Sequence, residues 1–197
     1  MIQRFLYLGI SKTNRFLPVM TPGLLYFTAA RYENYVLLYA ETDAMDFNPE
    51  QSMLGEVIPF PEGQKWIKIP QVFYYNCPEN LKQWGRTEPS KPKFQVTKLK
   101  YDCVAPYIFY HYQLQEEERI RKSKYTLIGL LGTLLVYYNE DPPVIGEPRR
   151  GSLPTNNTPE KGWSQRMRHY FEFDWQPAEL LFRQDVLWDQ RKLLQVE

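Results

Sequence analysis

Residues 124–138 read KYTLIGLLGTLLVYY, and no other stretch constrains the chain as much. The 14 residues from Tyr125 to Tyr138 carry no charge. Arg119, Arg121, Lys122 and Lys124 precede them, and Glu140, Asp141, Pro142 and Pro143 follow. Such a run either lies in a protein core or crosses a bilayer. As a helix it covers about 21 Å at ~1.5 Å per residue, short of ~30 Å of hydrocarbon. Length alone therefore favours a buried core helix. Four features favour a span. The acid-free window extends from Arg119 to Asn139, and its Lys and Arg side chains can snorkel. Tyr125 at one end and Tyr137 and Tyr138 at the other match an aromatic belt. Basic residues lie on one side only, as in an oriented span. Thr126, Gly129, Gly132 and Thr133 form a small-residue stripe through which a second membrane helix packs closely. A soluble helix gains nothing from two glycines, each costing about 1 kcal/mol against Ala. The balance predicts one helix over 111–138, with a transmembrane part at 124–138. Its charged first half carries Glu117–Arg121 and Glu118–Lys122 at the favourable i,i+4 spacing.

Composition limits the remainder. A mean hydropathy of −0.53 excludes several spans. A net charge of +1 supplies no field for nucleic acid. The chain holds 2 His (His111, His169) and 2 Cys (Cys77, Cys103), which starves metal sites and His-based catalysis. The 15 Tyr and 5 Trp residues suit surfaces that adhere, and the 16 Pro imply extended connections.

No acid precedes Glu33. On a helical wheel Arg4, Lys12 and Arg15 oppose Ile2, Phe5, Leu6, Phe16 and Leu17, so residues 1–23 read as a basic N-terminal arm or targeting-like segment. Residues 24–110 read as a small mainly-β domain. Leu24–Tyr32 and Tyr35–Glu41 flank Glu33-Asn34 as a hairpin. Lys65–Ile69, Gln71–Tyr75 and Lys93–Val104 alternate as strands, the last with a phase switch. Residues 139–162 hold a Pro-rich extended linker. Residues 163–197 form an aromatic tail ending in an amphipathic helix over Ala178–Leu194, entered at Pro177. Trp163, Tyr170, Phe171, Phe173 and Trp175, with Leu180, Leu187, Trp188 and Leu194 on the helix, are the expected partner-binding residues. No internal repeat is evident. The fold class expected is α+β: a β-rich N-terminal domain, one long helix with a single span, a linker and a C-terminal helix.

No dinucleotide, P-loop, zinc-protease, serine-hydrolase or EF-hand motif occurs. Glu116-Glu117-Glu118 reads as a solvated helix face. Asp43 and Asp46, with Glu41, read as a polar loop. Catalytic residues, metals and cofactors are all expected to be absent. The basic N-terminus, the single span and the aromatic, Pro-rich tail together resemble, at the level of type, single-span accessory subunits of mitochondrial inner-membrane complexes, in the respiratory chain or ATP synthase. The resemblance implies a non-catalytic subunit that stabilises such a complex. It implies other subunits and membrane lipid as partners, no nucleic acid, and residues before the span on the matrix side. Two alternatives stand beside it. One is a β-rich soluble enzyme or ligand-binding protein, with 125–138 as a core helix and Tyr and Trp lining a pocket for a sugar or other ring. The other is a component of the mitochondrial ribosome.

Overall fold

The apolar run is a β-hairpin. In the computed structural model, which describes residues 2–76, 84–86, 90–117, 123–146, 151–158 and 162–186, Leu127–Leu131 and Leu134–Asp141 pair antiparallel across Gly132-Thr133. Gly132 has φ 60°, a left-handed value that glycine adopts without a Cβ penalty. The helix preceding it is described as far as Glu117, and the run itself is strand and turn, not helix. Among the described residues no helix is long and apolar enough to cross a membrane. The expected 111–138 helix, its transmembrane part, the inner-membrane location and the matrix-side orientation are all overturned by this finding. The physical reason is burial on both faces. Leu127, Leu130, Leu135, Val136 and Tyr138 are all buried, so these strands lose the apolar–polar alternation that marks a half-exposed sheet.

The chain folds as two units. Unit 1 holds Met1–Ile69, Pro78–Pro92 and Ala178–Glu197; unit 2 holds Pro70–Cys77 and Lys93–Pro177. The main sheet of unit 1 has the order β12-β3-β4-β1-β6. Its strands are β1 (Gln3–Ile10), β3 (Leu24–Tyr32), β4 (Tyr35–Thr42), β6 (Trp66–Lys68) and β12 (Glu179–Asp185). β2 (Leu17–Pro18) and β5 (Met53–Leu54) form a small pair, and the short helix α1 (Pro49–Ser52), which Asn48 caps, leads directly into β5. Of the residues read on a helical wheel, Arg4, Phe5 and Leu6 lie in strand β1, paired along its length with β4, and Leu17 lies in β2. The expected C-terminal helix is strand β12 as far as Asp185; Leu187, Trp188 and Leu194 lie outside the described residues.

The sheet of unit 2 has the order β11-β8-β10-β9-β7. Its strands are β7 (Gln71–Tyr74), β8 (Lys91–Lys98), β9 (Leu127–Leu131), β10 (Leu134–Asp141) and β11 (Gln176–Pro177). Helices α2 (Val104–Glu117) and α3 (Trp163–Arg168) complete this unit. The expected linker is docked in part: Glu116 accepts from Ser152 N at 2.9 Å, and Glu117 accepts from Asn157 N at 3.0 Å and Thr158 N at 2.7 Å.

The two sheets are built alike, which overturns the absence of a repeat. In each, a first strand (β1, β8) pairs with the second strand of a later hairpin (β3–β4, β9–β10), and a short strand (β6, β11) flanks its other side. The next strand joins the opposite sheet: β7 lies beside β9, and β12 beside β3. Registers recur as well. Leu8 faces Ile67 and Tyr7 faces Lys68; Val96 faces Gln176 and Gln95 faces Pro177. Both exchanged strands carry an irregularity, between Gln71 and Phe73 and between Leu180 and Phe182. Glu33, at φ 53°, stands where Gly132 stands in the other hairpin. Tyr26, Tyr39 and Glu41 recur as Tyr125, Tyr138 and Glu140, all buried. Tyr39 donates to Glu41 at 2.6 Å, and Tyr138 to Glu140 at 2.8 Å. The molecule is a structural duplication in which each half sends its last strand into the other half's sheet.

Candidate ligand-binding site

One face of the unit 2 sheet forms the floor of a cavity. Phe73 rises from β7, Gln95 from β8, Thr126 from just before β9, Ile128 from β9 and Tyr137 from β10. Helix α2 covers one side. Pro106 sits in its first turn, where a missing N–H costs no helical bond. Tyr107, His111 and Leu114 are spaced to share one helical face, and all three are buried and line the cavity. Helix α3 brings Trp163, Ser164, Met167 and Arg168. The segment after it is pinned to the end of β8, because Lys100 N donates to Tyr170 O at 2.9 Å and Glu172 N to Lys98 O at 2.8 Å. That pinning places Phe171 and Trp175 in the wall. The cavity measures about 480 Å³, within the usual range of small-molecule sites.

The walls are rings packed edge to face. Phe73 meets Tyr75 at 4.7 Å and 83°, and meets His111 at 5.2 Å and 81°. His111 meets Trp163 at 5.2 Å and 76°. Tyr137 and Trp175 lie 5.7 Å apart. Burial lowers the His111 pKa to about 4, partly opposed by the Tyr107 carbonyl 3.0 Å from Nδ1. The imidazole is therefore neutral at physiological pH. Burial also raises the Tyr107 and Tyr137 phenols, so neither ionises there. Thr126 Oγ1 donates to Asn139 Oδ1 at 3.1 Å. The lining's two formal charges, Arg168 and Asp174, pair with each other at 2.9 Å near solvent.

The corresponding face of unit 1 is plugged. Register places Tyr7 where Gln95 stands, Phe27 where Thr126 stands and Leu38 where Tyr137 stands. Phe47 closes that face, 5.6 Å from Phe27 and 5.9 Å from Tyr7, and its carbonyl accepts from the Tyr7 hydroxyl at 3.0 Å. Phe5, Phe16 and Met53 pack into the same cluster. Gln95 in place of Tyr7 and Thr126 in place of Phe27 are smaller and more polar and leave unit 2 open, although Tyr137 is larger than Leu38.

A second cavity of about 290 Å³ lies beyond Trp163 and Met167, among Tyr110, Asn157, Arg166 and Tyr170. Below it, burial raises Glu117, but donations from Thr155, Thr158 and Asn157 outweigh that and hold its carboxyl at about 2. Glu117 is therefore a staple for residues 155–158. In unit 1, Glu41 is committed to Arg86 through bonds of 2.9 and 3.0 Å. Among the described residues no cluster of His, Cys, Asp and Glu is suited to hold a metal.

Comparison with protein-family models, characterised proteins and solved structures returns no match.

The expected helix-packing stripe is dispersed. Thr126 lines the cavity, Gly129 lies within β9 opposite Val136, and Gly132-Thr133 forms the turn. Of the expected partner-binding residues, Trp163, Phe171 and Trp175 converge on the first cavity and Tyr170 on the second. The Phe173 carbonyl accepts from Thr97, and Leu180 lies exposed on β12. Sequence reasoning missed Phe73, Gln95, Tyr107, His111 and Tyr137. The Tyr107–His111–Leu114 spacing was the available signal.

Proposed function

We propose that unit 2 is a binding module for a small, uncharged, ring-bearing molecule held in the aromatic cavity. The observation that carries this reading is internal to the chain. The same sheet face is filled by Phe27, Tyr7 and Phe47 in unit 1 and left open, with polar groups on its floor, in unit 2. A fold that can plug this face and does not do so in one copy retains about 480 Å³ of concave, ring-walled space. Binding is favoured over catalysis by the state of its one histidine. The Nδ1 of His111 is engaged by a backbone carbonyl, and among the described residues no serine or cysteine hydrogen-bonds the ring, so no nucleophile–base pair is assembled.

Tryptophan fluorescence tests the reading, since Trp163 and Trp175 stand in the wall. Titration with monosaccharides, nucleosides and substituted indoles is expected to give a saturable change with at least one class. Trp175→Ala is expected to weaken that binding about tenfold or more, in keeping with the loss of a stacking surface. A flat response to every class would contradict the reading.

A further inference from the structure

We propose that the ligand donates a hydrogen bond, from an N–H or O–H on its ring, to Nε2 of His111. This rests on the reading of unit 2 as a binding module and specifies what the cavity selects. A carbonyl oxygen can only accept, so the contact between Nδ1 and the Tyr107 carbonyl, at 3.0 Å, places the imidazole proton on Nδ1. Nε2 is left with a lone pair. Among the described residues nothing hydrogen-bonds it, and it is not sealed within the core. The ring cannot turn to exchange its two nitrogens freely. Its centroid lies 3.9 Å from that of the Tyr107 ring, tilted by 31°, and Phe73 and Trp163 bracket it, each at 5.2 Å. A fixed acceptor in a ring-walled cavity rewards an occupant that supplies a donor and penalises an isosteric occupant that lacks one.

Two further observations narrow the class. The side-chain amide of Gln95, on the floor, has no partner among the described residues and offers both a donor and an acceptor. Arg168 and Asp174 neutralise each other, so the lining asks for no counter-charge. The occupant is a neutral ring with a donor at its edge. Hydroxyl-bearing sugars and N–H heteroaromatics share that chemistry.

Matched pairs distinguish the two and test the inference. Wild-type protein is titrated by calorimetry with indole against 1-methylindole, and with methyl α-glucoside against its tetra-O-methyl derivative. The donor-bearing member of one pair is expected to bind roughly tenfold tighter than its methylated partner, the value of one hydrogen bond to a buried acceptor. The pair that shows the preference identifies the source of the ring. His111→Phe keeps the ring wall and removes the acceptor, and it is expected to abolish the preference. Equal binding within each pair by wild-type protein overturns the inference while leaving the binding module standing. Retention of the preference by a folded His111→Phe variant also overturns it. Failure of every member to bind overturns the inference, and it overturns the binding module as well when the nucleosides also give a flat response. The wild-type comparison decides the matter without any variant.

Discussion

His111 makes the molecule acid-sensitive in a direction set by its burial. Its folded pKa of about 4 lies below the ordinary 6.5. Above pH 6.5 the ring is neutral in both folded and unfolded chains and costs nothing. As pH falls from 6.5 towards 4 the unfolded chain takes up the proton and the folded one does not, so stability declines, by about 3 kcal/mol in all, and levels off below. The titratable or charged groups around the same cavity are Tyr75, Tyr107, Tyr137, Arg168 and Asp174; burial raises Tyr107 and Tyr137, which stay neutral, and the last two pair with each other. Urea unfolding at pH 7 and pH 4 is expected to show this loss in wild-type protein and to show much less of it in His111→Phe. An unchanged pH slope in the variant would refute the assignment. Arg86 acts at the same scale in unit 1. It is buried, bonds both oxygens of buried Glu41 and lies 3.5 Å from the Tyr26 ring centroid. Arg86→Met leaves a buried carboxylate without its cation and is expected to destabilise the protein by about 3–5 kcal/mol in denaturant unfolding at pH 7. Neither residue stood out in the sequence. A lone His and a lone Arg become distinctive only when long-range pairing brings Tyr107 and Phe73, or Glu41 and Tyr26, to them.

At the scale of elements, legibility followed the local signals. Leu24–Tyr32 and Tyr35–Glu41 read as β-branched or aromatic-rich runs around a turn, and they pair as a hairpin whose second strand extends one residue further, to Thr42. Both hairpins are central in their sheets and buried on both faces, which leaves continuous apolar runs; the polar pair Glu33-Asn34 breaks the run in unit 1, whereas Gly132-Thr133 leaves the run in unit 2 without a charge, and that hid its turn. Gly129, Gly132 and Thr133 imitated a helix-packing stripe, whereas Gly132-Thr133 is the hairpin turn, which needs small residues too. The spacing of Leu180 and Leu187 imitated a helix, while Leu180 and Phe182 in fact follow the register of a bulged strand. The turns offer a paired test. Glu33 bears a side chain at φ 53°, where L-residues are strained, so Glu33→Gly is expected to change stability in the favourable direction by up to about 1 kcal/mol. Gly132→Ala is expected to cost about 1 kcal/mol, and the cost is purely conformational because an added Cβ meets nothing within 4 Å. Thermal unfolding of the two variants reads both signs.

For the whole molecule, the duplication explains more than any one motif does. The tyrosine pair and the glutamate recur at matched positions of the two hairpins, and Trp66 and Trp175 stand at matching distances before Phe73 and Phe182. Few other identities survive, so the repeat is carried by strand order and register rather than by letters. That is why it was not legible before the sheets were seen. The site had the same fate. Its Trp and Tyr rings could be suspected of lining a pocket, but the contrast between a plugged and an open face exists only when the two sheets are compared. The most direct test transfers the plug. Gln95→Tyr combined with Thr126→Phe places the unit 1 residues on the unit 2 floor, and ligand titration is run on this variant and on wild-type protein with the best-binding probe. The account predicts a folded protein with far-ultraviolet circular dichroism like that of wild type and binding lost by a hundredfold or more. A folded double variant that binds as tightly as wild type would contradict it.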